Sequence, residues 1–357
     1  MEKERVIQLL KEFDEINGVS GNEDAVAEHL KKYLEPITDH NFKDVLGNAV
    51  FVKEGKNPDK KITLTAHMDE IGFMVSDFTD DGFVTLLPVG FHNPNVLVNQ
   101  VMTIHTDDGP VYGVTGGGKP IHQSMGKESA GFTFEDIRID VGAETAEEAR
   151  ALGIKEGDLV NIEKESHVLN GKYFSGKAVD NRSSCVSMIL LMEALKDVEL
   201  EASIYACGTV QEELGLKGAS ALVRRIDPDI ALCIDVGLAT EHGELNPAAG
   251  RSFAGKGPMI ELFDWTPSSC SGIMVPRKMV KELTRIAEEE KIPYQRSAVL
   301  SCGTDACAMV YNNTGVMTGG ISIPEKYIHT TIGVVNIEDV IQTAKLGAAF
   351  IEKQKLA

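Results

Sequence analysis

At 357 residues the chain exceeds the length at which a single hydrophobic core usually stops growing, which points to two domains. Hydrophobic residues make up 43% and charged residues 25%, proportions that exclude a fibre or a disordered chain. A formal net charge of -19 argues against nucleic acid and anionic membrane as partners, since neither polyanion gains from a like-charged surface.

The first segment, MEKERVIQLLKEFDEI, lacks the uninterrupted apolar stretch of a signal peptide and reads as an amphipathic helix over residues 3–16. No apolar run approaches the roughly 18 residues needed to span a bilayer, so a cytoplasmic protein is expected. A second helix is expected over 22–34 after the turn-rich GVSGNE, followed by strands at NAVFV and KITLTAH. From Ile71 the texture changes to short β-rich runs broken by turn signals such as Asp80-Asp81-Gly82 and Asp107-Asp108-Gly109.

After about residue 165 strands and helices alternate again: SSCVSMILLMEALK as helix, ASIYACGTV as strand, ALVRRI as helix and DIALCID as strand. A helix near 276–290, a strand near 316–322 and a final helix from Ile337 complete the pattern. The fold class expected is α/β: a three-layer α/β/α sandwich formed by 1–70 and 166–357, interrupted at 71–165 by a small, barrel-like all-β domain. Six cysteines without CxxC spacing read as free buried thiols.

In α/β domains functional side chains gather where strands end, and five such junctions carry metal-binding residue types. His67 follows the apolar strand KITLTA, with Asp69 placed to fix its ring orientation. Asp180 in GKAVDNR precedes a helix and equally suits a helix cap. Glu212 and Glu213 follow ASIYACGTV, and both can reach one site only if the backbone has already turned. A metal hydrolase needs one ligating and one free carboxylate, although two solvated acids would read the same way. Asp235 ends the apolar ALCID, where a metal or a cap would explain a buried carboxylate. His329 follows a strand and what reads as a proline-directed turn at ISIPEKYIHT, where a structural histidine is equally at home.

Together these give two histidines and three carboxylates, a set suited to paired Zn²⁺ or Co²⁺. Three carboxylates and one hydroxide neutralise two divalent ions, and one carboxylate must then bridge.

The segments GVSGNE, AHMDEIGF, GKAVDNR, TVQEELGLKGA, IDVG, GTDACA and ISIPEKYIHT resemble the glutamyl and tetrahedral aminopeptidase family over nearly the whole chain. The resemblance implies that His67 and Asp235 bind one metal, Glu213 and His329 the other, and that Asp180 bridges both. It further implies Glu212 as catalytic base, Asp69 as partner of His67, and a homo-oligomer, commonly a dodecamer built from dimers. The residues depart from the family pattern at Cys307, Glu325, Lys326 and Gly333, which bears on specificity more than on metal binding.

The expected function is a dimetal aminopeptidase acting on short peptides with a free N-terminus, Glu212 activating a metal-bridged water, with Mn²⁺ as a further candidate metal. The alternatives are a metal-independent glycoside hydrolase of the endoglucanase type and a non-catalytic metal-binding scaffold. The first needs two carboxylates flanking one bond, and Trp265 as the sole tryptophan gives sugars little stacking surface. Two further features are set aside. Gly113 through Lys119 resembles a nucleotide loop, but Pro120 stands where a Ser or Thr must bind Mg²⁺. His92, His105 and His122 read as surface or turn histidines, and Asp305 as an active-site support.

Overall fold

The computed structural model of the chain describes residues 2–116, 131–241, 251–267, 271–300 and 303–354. His122, Lys119, Pro120, Cys270 and Cys302 lie outside the described residues.

The helix Lys3–Asp14 buries Val6, Leu9, Leu10 and Phe13, the i, i+3, i+4, i+7 stripe of an amphipathic helix. The helix Val179–Leu195 is instead buried on almost every side, because it packs between Lys3–Asp14, Ile337–Glu352 and the strand Asn57–His67. Its apolar sequence on all faces is what such a position requires. On the opposite face of the sheet lie Lys217–Ile226 and Ala306–Met309, whose Ala219, Val223, Ala308 and Met309 form a second, smaller core. The strand Ala49–Lys53 shows the division residue by residue: Ala49 and Phe51 join the first core, Val50 and Val52 the face covered by Leu222 and Ile226.

Among the described residues the sheet has twelve strands, and four parallel ones make its centre in the order Ala202–Thr209, Asn57–His67, Ile230–Leu238, Met317–Lys326. Three of these strands are buried along nearly their whole length and Asn57–His67 from Ile62 onwards, as parallel strands covered on both faces must be. Six further strands between Gly72 and Ile162 close into a barrel with its own core around Phe73, Val84, Ile104, Ile139 and Val160. The architecture is the expected α/β/α sandwich with a closed β barrel. No helix among the described residues is long and apolar enough to cross a membrane.

Two local expectations are corrected. Pro324 does not make a turn; it continues the strand Met317–Lys326 opposite Gly237. The strand tolerates it because the neighbour on its other side changes there, from Met259–Thr266 at Ser322 to Gly333–Asn336 at Glu325, so no ladder bond is lost. His92 is not a surface residue: its ring stacks on Phe73 at 4.2 Å and lies 2.8 Å from the Gly72 carbonyl. Burial pushes its pKa down to about 4, more than those backbone contacts push it up. His105 lies 2.7 Å from Asn161 within the barrel. Cys185, Cys207, Cys233 and Cys307 are buried free thiols.

Candidate metal centre

The carboxyl ends of the central parallel strands converge on one cavity of about 600 Å³, lined by His67, Asp180, Glu212, Glu213, Asp235 and His329 among others. His67 is the last residue of its strand, level with Thr209 on the neighbouring one. Past Thr209 the chain turns at once, with Gln211 at φ 51° and the Gly215 and Leu216 amides donating to the Glu212 carbonyl. That turn is what lets two consecutive glutamates face one cavity. Asp235 comes from within Ile230–Leu238, paired with Ser322. His329 lies three residues beyond Met317–Lys326, in a turn where Tyr327 and His329 both have positive φ.

Asp180 sits in the first turn of Val179–Leu195 with a non-helical ψ of 107°, and Ala178 rather than Asp180 occupies the cap position. Its two oxygens point in different directions. Oδ1 is 3.1 Å from His67 Nε2, and Oδ2 is 3.4 Å from His329 Nε2. His67 Nε2 is also 3.6 Å from Asp235 Oδ1, and His329 Nε2 is 3.4 Å from Glu213 Oε2. Two groups with donor atoms all within 4.8 Å result, His67–Asp180–Asp235 and Asp180–Glu213–His329, sharing Asp180. A third group, His67–Glu212–Glu213, overlaps both.

The supports of the two histidines differ. His67 Nδ1 lies 3.1 Å from the Asp69 main-chain carbonyl and 3.4 Å from its carboxylate. That carboxylate does more than face the ring, because it accepts from the Glu212 amide at 3.0 Å, the Glu213 amide at 3.2 Å and Ser20 Oγ at 2.5 Å. His329 Nδ1 lies 3.0 Å from the carbonyl of Phe91, which follows the barrel strand Val84–Val89. Gly90 beside it has φ 84°, and a Cβ there would press on Ile71 and approach Glu213.

A polar layer beneath the site had no signature in the sequence. Glu70 is buried between Lys177 Nζ at 2.7 Å and Arg182 Nη2 at 3.4 Å, so the residues beside Asp69 and Asp180 are tied together. Glu23 of GVSGNE accepts from the Gln211 amide at 3.0 Å, and Asp14 accepts from the Ala178 amide at 2.9 Å. Asp305 stands behind the site, accepting from Thr209 Oγ1 at 2.5 Å, and burial pushes its pKa up to about 7.

Burial dominates the electrostatics. It raises Glu213 to about 8 and carries Glu212 well above the ordinary carboxylate range, in both cases against the opposing charge of histidines. Burial also lifts Asp235, only partly offset by His67. Asp180 goes the other way, because the close approach of His329 and His67 overcomes the effect of its burial. Asp69 is likewise held below its usual value by His67, Ser20 and the Glu212 amide in spite of its burial. Burial disfavours the charged forms of the histidines too, but Glu212 and Asp235 carry His67 well above its ordinary value, and Glu213 and Asp180 carry His329 to about 10.

A dense set of mutually repelling buried carboxylates is costly unless cations compensate it. Asp180 Oδ1, fully enclosed, meets no hydrogen-bond donor even though His67 Nε2 is near, as expected of a lone pair directed at an ion. The donor set of imidazole nitrogens and carboxylate oxygens suits a divalent metal such as Zn²⁺.

A model of the M42 glutamyl aminopeptidase family matches residues 47–346. The chain belongs to the M42 glutamyl aminopeptidase family. It is 34% identical to the glutamyl aminopeptidase of Lactococcus lactis over 350 residues, covering 96% of this chain and 94% of that one. It is 32% identical to the lysyl aminopeptidase of Pyrococcus furiosus over 355 residues, covering 98% and 97%. The structure is similar to the TET1 peptidase of Pyrococcus horikoshii with a TM-score of 0.86 and 32% identity, covering 98% of this chain and 100% of that one. That peptidase is described as assembling into a tetrahedron or a large octahedral shell.

The chain is therefore an aminopeptidase, and membership of this metallopeptidase family implies use of divalent metal. Relatives named for glutamyl and for lysyl substrates are matched about equally well, so family membership leaves the preferred N-terminal residue open. In this M42 aminopeptidase Glu325 and Gly333, two positions where a departure from the family pattern was expected, meet each other. The buried Glu325 carboxylate occupies the space where a side chain on Gly333 would begin. Lys326 reaches Glu241 at 3.7 Å and lies 4.5 Å from the centre of the Tyr173 ring. Cys307 is buried, and its burial pushes the thiol up to about 12.

Proposed function

We propose that the chain is a dimetal aminopeptidase that removes the N-terminal residue of short peptides, with Glu212 as the proton-transferring base. The observation that carries this reading is Asp180, whose two oxygens face His67 and His329 separately, as a bridging carboxylate would. His67 and Asp235 would hold one ion and Glu213 and His329 the other, with Zn²⁺ or Co²⁺ the favoured metals and Mn²⁺ a third. Every member of the two groups is then used once apart from Asp180, and Glu212 is left free of metal. Bound there, the ions would supply Lewis acidity, making water more acidic and polarising the scissile carbonyl.

The chain's own residues do the rest. Glu212 takes a proton from the attacking water and returns it to the departing amine. Asp69 holds the Glu212 and Glu213 amides and faces the His67 ring, so one carboxylate fixes both base and ligand.

The division into 1–70 with 166–357 and an insert at 71–165 is proposed as a division of labour, the insert serving assembly and substrate access. Val101 and Val114 are exposed and paired across two barrel strands, with Tyr112 exposed two residues from Val114. Such a patch suits self-association, and a dodecamer built from dimers is the proposed assembly.

Replacing Glu212 with Gln is expected to lower turnover of aminoacyl substrates by roughly 10²–10⁴ while leaving bound metal per chain unchanged. Undiminished turnover would remove Glu212 from the reaction.

A further inference from the structure

The cavity that holds the cluster has a closed end and an open one. Asp235 and Val236 are 4% and 3% exposed, whereas Phe91 and Leu214, which line the same cavity, are 80% and 44% exposed. Phe91 and Leu214 both belong to the His329–Glu213 side: Leu214 follows Glu213 in the chain, and the Phe91 carbonyl meets His329. An enzyme that releases one N-terminal residue needs a blind end for that residue and an outlet for the remaining chain. The His67–Asp235 side supplies the first, and the rim at Phe91 and Leu214 supplies the second.

We infer that Phe91 and Leu214 form an apolar subsite for the residue that follows the scissile bond, so that the enzyme favours peptides with a large apolar second residue. This rests on the aminopeptidase reading of the cavity. The fold itself makes little use of either side chain: at 80% exposure the Phe91 ring contributes little packing, and only its backbone carbonyl supports His329. Among the described residues lining the cavity there is no lysine or arginine, and every acid is either a proposed metal ligand or the proposed base Glu212. A charged second residue therefore finds no free partner in the lining, while an apolar one covers two side chains otherwise left in water.

The test compares kcat/KM of the metal-loaded enzyme for Leu-Leu, Leu-Glu and leucinamide, the last having no second side chain. Leu-Leu is expected to exceed leucinamide by about tenfold, the worth of covering roughly half an aromatic side chain. In Phe91→Ala that ratio should fall towards one, and in Phe91→Leu it should be largely restored. A ratio that stays constant in Phe91→Ala, whether both rates fall together or neither moves, overturns the inference. So does a preference for Leu-Glu, for which Lys217 near Gly215 would be the cause. Failure of the wild-type enzyme to release an amino acid from any member of an amide panel would instead defeat the aminopeptidase reading, and the inference with it.

Discussion

The two ends of the cavity are built on different principles. At the closed end His67 terminates a central strand, is 2% exposed and is held by its own neighbour Asp69. At the mouth the His329 side chain is 30% exposed, sits in a left-handed turn and is held by a carbonyl 238 residues away. The first arrangement is local and enclosed by the sheet; the second depends on how the barrel meets the sandwich. One end is fixed by the core, and the other is open to adjustment by the insert.

The contrast can be broken most severely at the closed end. Removing the buried Glu70 carboxylate in Glu70→Ala leaves Lys177 and Arg182 unpaired and should cost about 3–5 kcal/mol in urea unfolding. His329→Ala at the mouth, where the side chain is 30% exposed, should cost less than Glu70→Ala in the metal-free protein. Equal losses would show that the two ends are equally embedded. Asp69→Asn is next in size. It replaces an acceptor of two backbone amides and should weaken metal binding by roughly 10–100-fold in a competition titration.

A further effect lies in the pH dependence of the layer next to the closed end. Burial raises Glu261 from 4.5 to about 8, more than the hydrogen bond from Ser322 lowers it. The folded state therefore holds a proton there that the unfolded chain gives up first. The stability linked to that proton is whole below pH 4.5 and is lost as pH rises towards 8, by roughly 1 kcal/mol per pH unit. Glu261→Gln should lack that slope when unfolding is followed at pH 5, 6.5 and 8, and parallel slopes would exclude Glu261 as its source.

The same contrast explains what the sequence made legible. The central strands and most helices are long, apolar and periodic, so KITLTAH, ASIYACGTV and DIALCID could be read directly. The strands Met259–Thr266 and Gln295–Leu300 were not anticipated, because the burial of the first is irregular and the second turns Ser297 inward and Ala298 and Leu300 outward, so polarity does not follow burial. The residues the structure gathers at the cavity could be named because strand ends announce themselves. Asp69 and Asp305 could be named as supports, but the long-range contacts of the support layer could not: Asp69 meets the Glu212 amide across 143 residues, and Glu70 meets Lys177 across 107. Pro324 misled for a related reason, since a proline inside a strand is tolerated only where the pairing partner changes, a fact of topology rather than composition.

The central claim, two ions sharing Asp180, is tested most directly by counting zinc bound per chain after equilibrium dialysis of the stripped protein. The account predicts two ions in the wild type, one in His329→Ala, and weakened binding of both in Asp180→Ala. A single ion in the wild type, or two undiminished sites in Asp180→Ala, would contradict it.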